Sequence, residues 1–188
     1  MLRLALIVLC SVLSSTSLAR SFDINLSADA AQFKYSSLVG ATNYGRTEMT
    51  VGFLYNDDDN YLGEVALLVI DEAGTKTPGL ELGVGPKLWF GGADDADVDI
   101  AAVGLGGQIR YKNMRMPRVV YGASLFYAPG IVSFLDAEGM LEYDLRVEYE
   151  LLPTANVYVG IRSIEADIKN RKDVEVDESA IIGLRFKF

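Results

Sequence analysis

Residues Met140–Leu152 read MLEYDLRVEYELL. The odd positions, Leu141, Tyr143, Leu145, Val147, Tyr149 and Leu151, are apolar or aromatic, while the even positions Glu142, Asp144, Arg146, Glu148 and Glu150 are charged. A period of two puts the two sets on opposite faces of a strand, whereas a helix would scatter the charges around its circumference. The run exceeds the usual soluble strand of about five or six residues and approaches the roughly nine to eleven tilted residues that cross a bilayer. Tyr143 and Tyr149 flank its apolar centre, where membrane barrels place interfacial aromatics.

The same alternation recurs along the chain. Phe22, Ile24 and Leu26, then Phe33 and Tyr35, form a short first hairpin; Thr47, Met49, Val51, Phe53 and Tyr55 follow Gly45 and stop at Asn56–Asn60. Val65, Leu67 and Val69 share one face of the next segment, and Leu80, Leu82, Val84, Leu88 and Phe90 one face of the segment after it. Pro86 lies inside that run and marks a bulge or a weakly paired site, because proline donates no ladder hydrogen bond. Later strands carry Ala101, Val103, Leu105, Ile109 and Tyr111; Val119, Tyr121, Ala123, Leu125 and Tyr127; Val157, Val159 and Ile161; and Ala180, Ile182, Leu184, Phe186 and Phe188. A phase slip near Ser163–Ile164 reads as a bulge.

These segments predict an all-β, antiparallel, up-and-down transmembrane β-barrel of eight to ten strands. Ten is favoured, and eight follows if the first two segments stand apart as one strand or a plug. With both termini periplasmic, the connections at 40–45, 74–78, 115–117 and 153–156 fall inside and mostly read as short. Those at 56–60, 91–99, 128–139 and 169–177 fall outside and read as acidic or longer, the asymmetry of outer-membrane barrels.

Ahead of the barrel, residues 1–19 read as a cleaved secretory signal: Arg3 is basic, Leu4–Leu13 apolar, and Ser17-Leu18-Ala19 a small-residue cleavage site. The barrel domain then spans 20–188. Cys10, the single cysteine, leaves with the leader, so no disulfide, thiol nucleophile or thiolate metal site is expected. The net charge of −9 argues against nucleic acid as a partner. With no histidine in the chain, Ser-His-Asp and Cys-His catalysis are excluded, and neither an enzyme nor a cofactor is expected. The glycine-rich GVGPK and GLGG sit within strands, where lumen-facing glycines make room for long side chains opposite.

The stretches TVGFLYNDDDNYLGEVAL, GVGPKLWF, AVGLGGQIRYK, YGASLFYAP and ELLPTANVYVGIRSIEADIKN give the chain its resemblance to the YfaZ family of predicted outer-membrane proteins. The resemblance implies an outer-membrane barrel of poorly defined role and carries over no functional residues. It also gives Phe188 an expected role, since such barrels commonly end in an aromatic residue recognised by the barrel-assembly machinery.

On the inward face the sequence collects Asp23 and Lys34 with Glu48, Glu64, Glu81, Lys87, Arg110, Lys112, Glu142, Asp144, Arg146, Glu148, Glu150, Arg162, Arg185 and Lys187. Buried ions must pair, so the expectation is a lumen largely filled by ion pairs and a structural or cell-surface interaction role. The alternative is a narrow channel for small solutes, and a second is a soluble periplasmic lipocalin-like barrel, which would need polar outer faces and an apolar cavity. Asp57, Asp58, Asp59, Asp94, Asp95, Asp97 and Asp99 form acidic loops that could take divalent cations, although neither cluster matches a calcium-loop pattern. Tyr55, Tyr61, Phe90, Tyr111, Tyr121, Tyr127, Tyr143, Tyr149 and Phe188 fit interfacial girdles. The expected partners are outer-membrane lipid and lipopolysaccharide, for a monomer in the outer membrane.

Overall fold

The structure is a computed structural model, described for residues 20–42, 45–57, 60–74, 77–93, 98–135, 137–168 and 174–188. The leader read over residues 1–19 lies outside the described residues. The elements are β1 (Arg20–Leu26), β2 (Ala30–Thr42), β3 (Gly45–Asn56), β4 (Asn60–Glu72), β5 (Leu80–Ala93), β6 (Val98–Lys112), β7 (Val119–Ala128), β8 (Ser133–Leu135), β9 (Ala137–Leu152), β10 (Ala155–Ile168) and β11 (Val174–Lys187). Among the described residues a 3-10 turn, Gly130–Val132, precedes β8.

Ten of these strands close a ring in which each pairs antiparallel with its neighbours, β11 returning to β1 through pairs such as Phe22 with Phe186. The first hairpin is therefore part of the wall, and the count is ten rather than eight. β8 is a three-residue annex that pairs with Ile100–Ala102 of β6 beyond the end of β7. Closure satisfies the strand edges internally, which a wall facing hydrocarbon requires.

Alternation then decides the faces. Val51, Phe53, Leu67, Val69, Val84, Leu105, Ile109, Leu125, Val147, Val159, Ile161, Ile182 and Leu184 are exposed on the outside, while Glu64, Lys87, Glu142, Glu148 and Arg162 are buried within. So extensive an exposed apolar surface suits lipid and not water. The lipocalin-like alternative needs the opposite distribution.

Aromatics gather at both ends of this belt. Tyr55 pairs with Tyr61 near the loop end, with Phe90 and Tyr127 also exposed on outer segments. Toward the opposite end Tyr111 and Tyr121 stack with ring centroids 6.4 Å apart, and Tyr149 pairs with Val119. The described termini, Arg20 and Phe188, hydrogen-bond each other's backbones at that second end, taken here as periplasmic.

Connection length is a weaker guide to sidedness than the sequence suggested. The connections at the terminal end contain two, seven, six and two residues, and those at the other end three, three, four, eight and five. Strands running further than the alternation alone marked have absorbed the apparent loops.

Two local irregularities resolve differently from each other. Pro86 causes no bulge: register is continuous on both sides, Pro86 pairs with Leu105, and the ladder to β4 merely skips the stretch between the Ala66–Lys87 and Val69–Val84 pairs. It is the weakly paired site. The shift near Ser163 is real and falls at Ile164/Glu165, where Ile164 pairs with Asp177 and Glu165 with Glu175. The extra residue belongs to β11, not β10, whose even positions Arg162, Ile164, Ala166 and Ile168 all remain buried.

Candidate functional site

The inward side chains are stacked in tiers along the barrel. Nearest the outer end the lumen is closed by apolar groups: Leu54, Leu62, Ile100, Met140, Ile164 and Ala166 are buried together with Trp89 and Phe126. Trp89 meets Phe126 edge-on, centroids 6.3 Å apart at 83°. Gly104 makes this possible, since a Cβ there would lie 2.6 Å from the indole. A lumen largely filled by ion pairs is thus only partly what forms. The outer half is plugged mainly by hydrocarbon, because several inward positions on different strands are apolar and the barrel's stagger brings them to one level.

Beneath the plug lies a neutral quartet. Lys87 Nζ sits 2.7 Å from Glu64 and 2.6 Å from Glu142, Lys34 reaches Glu64 at 2.9 Å, and the Trp89 indole N–H donates to Glu142 at 2.7 Å. Lys87 also lies 5.3 Å and 5.0 Å from the Trp89 and Phe126 ring centroids. Gly52 supplies the space for Glu64, which would collide with a Cβ at 2.6 Å. Together Lys87, Glu142, Trp89 and Phe126 make a septum. On the β10–β11 side, Arg162 donates to Asp177 and to Gln32, both at 2.6 Å, with Ser179 bonding Asp177 at 2.9 Å.

The third tier is rich in arginine. Glu148 accepts from Arg110 at 3.1 Å, Arg185 at 2.9 Å and Asn156 at 3.0 Å, and lies 3.3 Å from Arg146. Arg185 also holds Asp23 at 2.7 Å, and Asp23 accepts a hydrogen bond from the Tyr158 hydroxyl. Arg146 stands 3.6 Å from Asp144 and 5.3 Å from the Tyr158 ring centroid. Rim pairs finish the wall: Arg46 with Glu81 at 2.9 Å, and Lys112 with Glu150 at 3.8 Å.

Below the septum these walls enclose an open vestibule of about 750 Å³. Its boundary includes Arg20, Arg46, Lys187 and Phe188, so it opens at the end that carries both described termini. Glu48 lies on its wall with no ion pair among the described residues.

Of the sixteen charged residues assigned to the inward face from sequence, Asp23, Lys34, Glu48, Glu64, Lys87, Arg110, Glu142, Asp144, Arg146, Arg185 and Lys187 line the vestibule, Glu148 and Arg162 are buried, and Glu81, Lys112 and Glu150 stand in rim pairs, in separate clusters instead of one network. Arg46, Trp89, Phe126, Asn156 and Tyr158 belong to the site and were not among them. Arg46 preceded the first residue assigned to its strand, and the uncharged groups carried no charge to flag them. Asp57 and Asp99 are described, Asp57 donating its backbone N–H to the Asp29 carbonyl at 2.9 Å. Asp58, Asp59, Asp94, Asp95 and Asp97 lie outside the described residues.

The sequence profile of the family described as YfaZ precursor matches residues 1–188. The chain belongs to the YfaZ family. A closed barrel with an apolar exterior makes this YfaZ member an outer-membrane β-barrel protein. Among solved structures it is similar to the KdgM porin, at 12% identity over 90% of this chain and 99% of that one, with a TM-score of 0.47. It is also similar to KdgM in complex with disordered oligogalacturonate, at the same identity, coverage and TM-score. The outer membrane channel DcaP of Acinetobacter baumannii is 13% identical, over 93% of this chain and 55% of that one, with a TM-score of 0.45. No curated protein matches.

Proposed function

We propose that this barrel is a narrow, normally restricted passage for small solutes across the outer membrane. The vestibule carries the reading: a purely structural barrel of this size has no need of about 750 Å³ of open, polar-walled space leading to a single septum. A solute entering from the periplasmic mouth would meet the arginine tier first and the Lys87–Glu142–Trp89 layer next. Passage requires that layer to part, so conductance is small and intermittent instead of porin-like in size. The working unit is a monomer in outer-membrane lipid, with lipopolysaccharide outside, inserted by the assembly machinery through its Phe188 end.

The test is flux. Proteoliposomes containing the refolded barrel, checked by a heat-dependent mobility shift, should equilibrate a small solute such as glycine faster than empty vesicles and exclude a large one such as raffinose. Equal rates with and without protein would remove the passage reading and leave the structural one.

A further inference from the structure

We propose that the arginine tier of the vestibule is a binding site for small multivalent oxyanions, carboxylates or phosphates. The solute's route rests on the passage reading above; its chemical class rests on separate observations.

Glu148 is one carboxylate shared by three guanidiniums, those of Arg110, Arg146 and Arg185. Adding Lys187, which donates to Asn156 at 3.2 Å, this tier sets four cations against Asp23, Asp144 and Glu148. The decisive point is which groups a solute meets. Glu148 is 0% exposed, whereas Arg110 is 24%, Arg146 16% and Arg185 11% exposed. The same order holds in the pairs around the vestibule, as with Lys34 over Glu64 and Arg46 over Glu81, and reverses in the buried Arg162–Asp177 pair. Apart from Glu48, which lines the wall away from this tier, the acids lie behind the bases, so the accessible surface of the arginine tier is cationic even though its pairs are nearly balanced.

One donor also remains unused. The Nε–H of Arg110 is buried without a hydrogen-bond partner, whereas Arg146 Nε lies 3.3 Å from Glu148. A guanidinium presents its N–H groups as a planar fork that fits two oxygens of a carboxylate or phosphate. A vestibule of about 750 Å³ lies within the roughly 300–1,000 Å³ of small-molecule sites, and walls of low dielectric concentrate its field.

The experiment titrates the folded barrel in detergent with citrate, inorganic phosphate and, as a neutral probe, glucose, by calorimetry. The same preparations are then reconstituted into planar bilayers for reversal potentials under a KCl gradient. Arg110→Gln is the informative variant, because Glu148 keeps Arg146, Arg185 and Asn156 and the fold is retained. Arg110→Lys keeps the charge without the fork. Arg115→Gln removes one positive charge from the exposed turn at the same end, outside the vestibule.

Citrate or phosphate should bind and glucose should not. Affinity should fall about tenfold in Arg110→Gln, less in Arg110→Lys, and stay unchanged in Arg115→Gln. The reversal potential should show anion preference that weakens in Arg110→Gln. No heat with either anion, or equal loss in Arg110→Gln and Arg115→Gln, overturns the site. Conductance without anion binding or preference overturns the site and leaves the passage. Anion binding that depends on Arg110, with silent bilayers, upholds the site and overturns the passage.

Discussion

Replacing Lys87 by methionine tests the septum as a unit. Lys87 Nζ holds Glu64 at 2.7 Å and Glu142 at 2.6 Å, and all three side chains are buried. Without the ammonium, Glu64 keeps Lys34 at 2.9 Å, but Glu142 retains only Lys34 at 3.8 Å and the Trp89 N–H at 2.7 Å. Removing one member of a buried ion pair typically costs about 3–5 kcal/mol, much of it the penalty of the charge left behind. With a urea slope of about 2 kcal/mol/M for a protein of this size, the unfolding midpoint should fall by about 2 M. Trp89 is the single tryptophan and bonds to Glu142, so its fluorescence reports both unfolding and the local change. In Lys87→Met/Glu142→Gln the stranded carboxylate is gone, and at least half of the loss should return. A single variant within about 0.5 kcal/mol of wild type, the usual range of inconsequential substitutions, would refute this account. So would a double variant no more stable than the single.

Three further outcomes follow from the faces and the tiers. Leu105→Arg, placed near the middle of the lipid-facing side of β6, should destabilise the folded barrel by about 2–4 kcal/mol, measured by urea unfolding in lipid vesicles. Gly183→Val should cost about 1–3 kcal/mol or prevent folding, because even a Cβ there would lie 2.2 Å from the Tyr158 ring; the gel mobility shift reads this directly. For sidedness, Ile131→Cys at the exposed 3-10 turn should react with an impermeant maleimide on intact cells, and Arg115→Cys only after the outer membrane is breached.

Period-two patterning made the wall legible from sequence, because membrane strands must hold one apolar face over their whole length. The Met140–Leu152 alternation in β9 fixes which residues face lipid, and the same rule separates apolar from charged side chains along the other strands. Patterning says nothing about height. Leu54, Trp89, Phe126, Met140 and Ile164 come from five different strands, and only the stagger between strands brings them together as a plug. The vestibule was hidden for the same reason, since lumen width follows strand number and shear. In β10 and β11 the slip was visible, but its side was not: alternation in one strand cannot tell which partner holds the extra residue.

Single-channel recording of the wild-type barrel beside Trp89→Ala bears most directly on the idea of a restricted passage. Trp89 plugs the lumen from the centre of the septum, packed on Phe126 and bonded to Glu142. Wild type should give small, intermittent steps, and Trp89→Ala larger and steadier ones, because the indole is the bulkiest group between vestibule and outer end. If Trp89→Ala conducts while wild type, inserted to the same extent, stays silent over long recordings, the septum is a permanent seal. The barrel is then no passage.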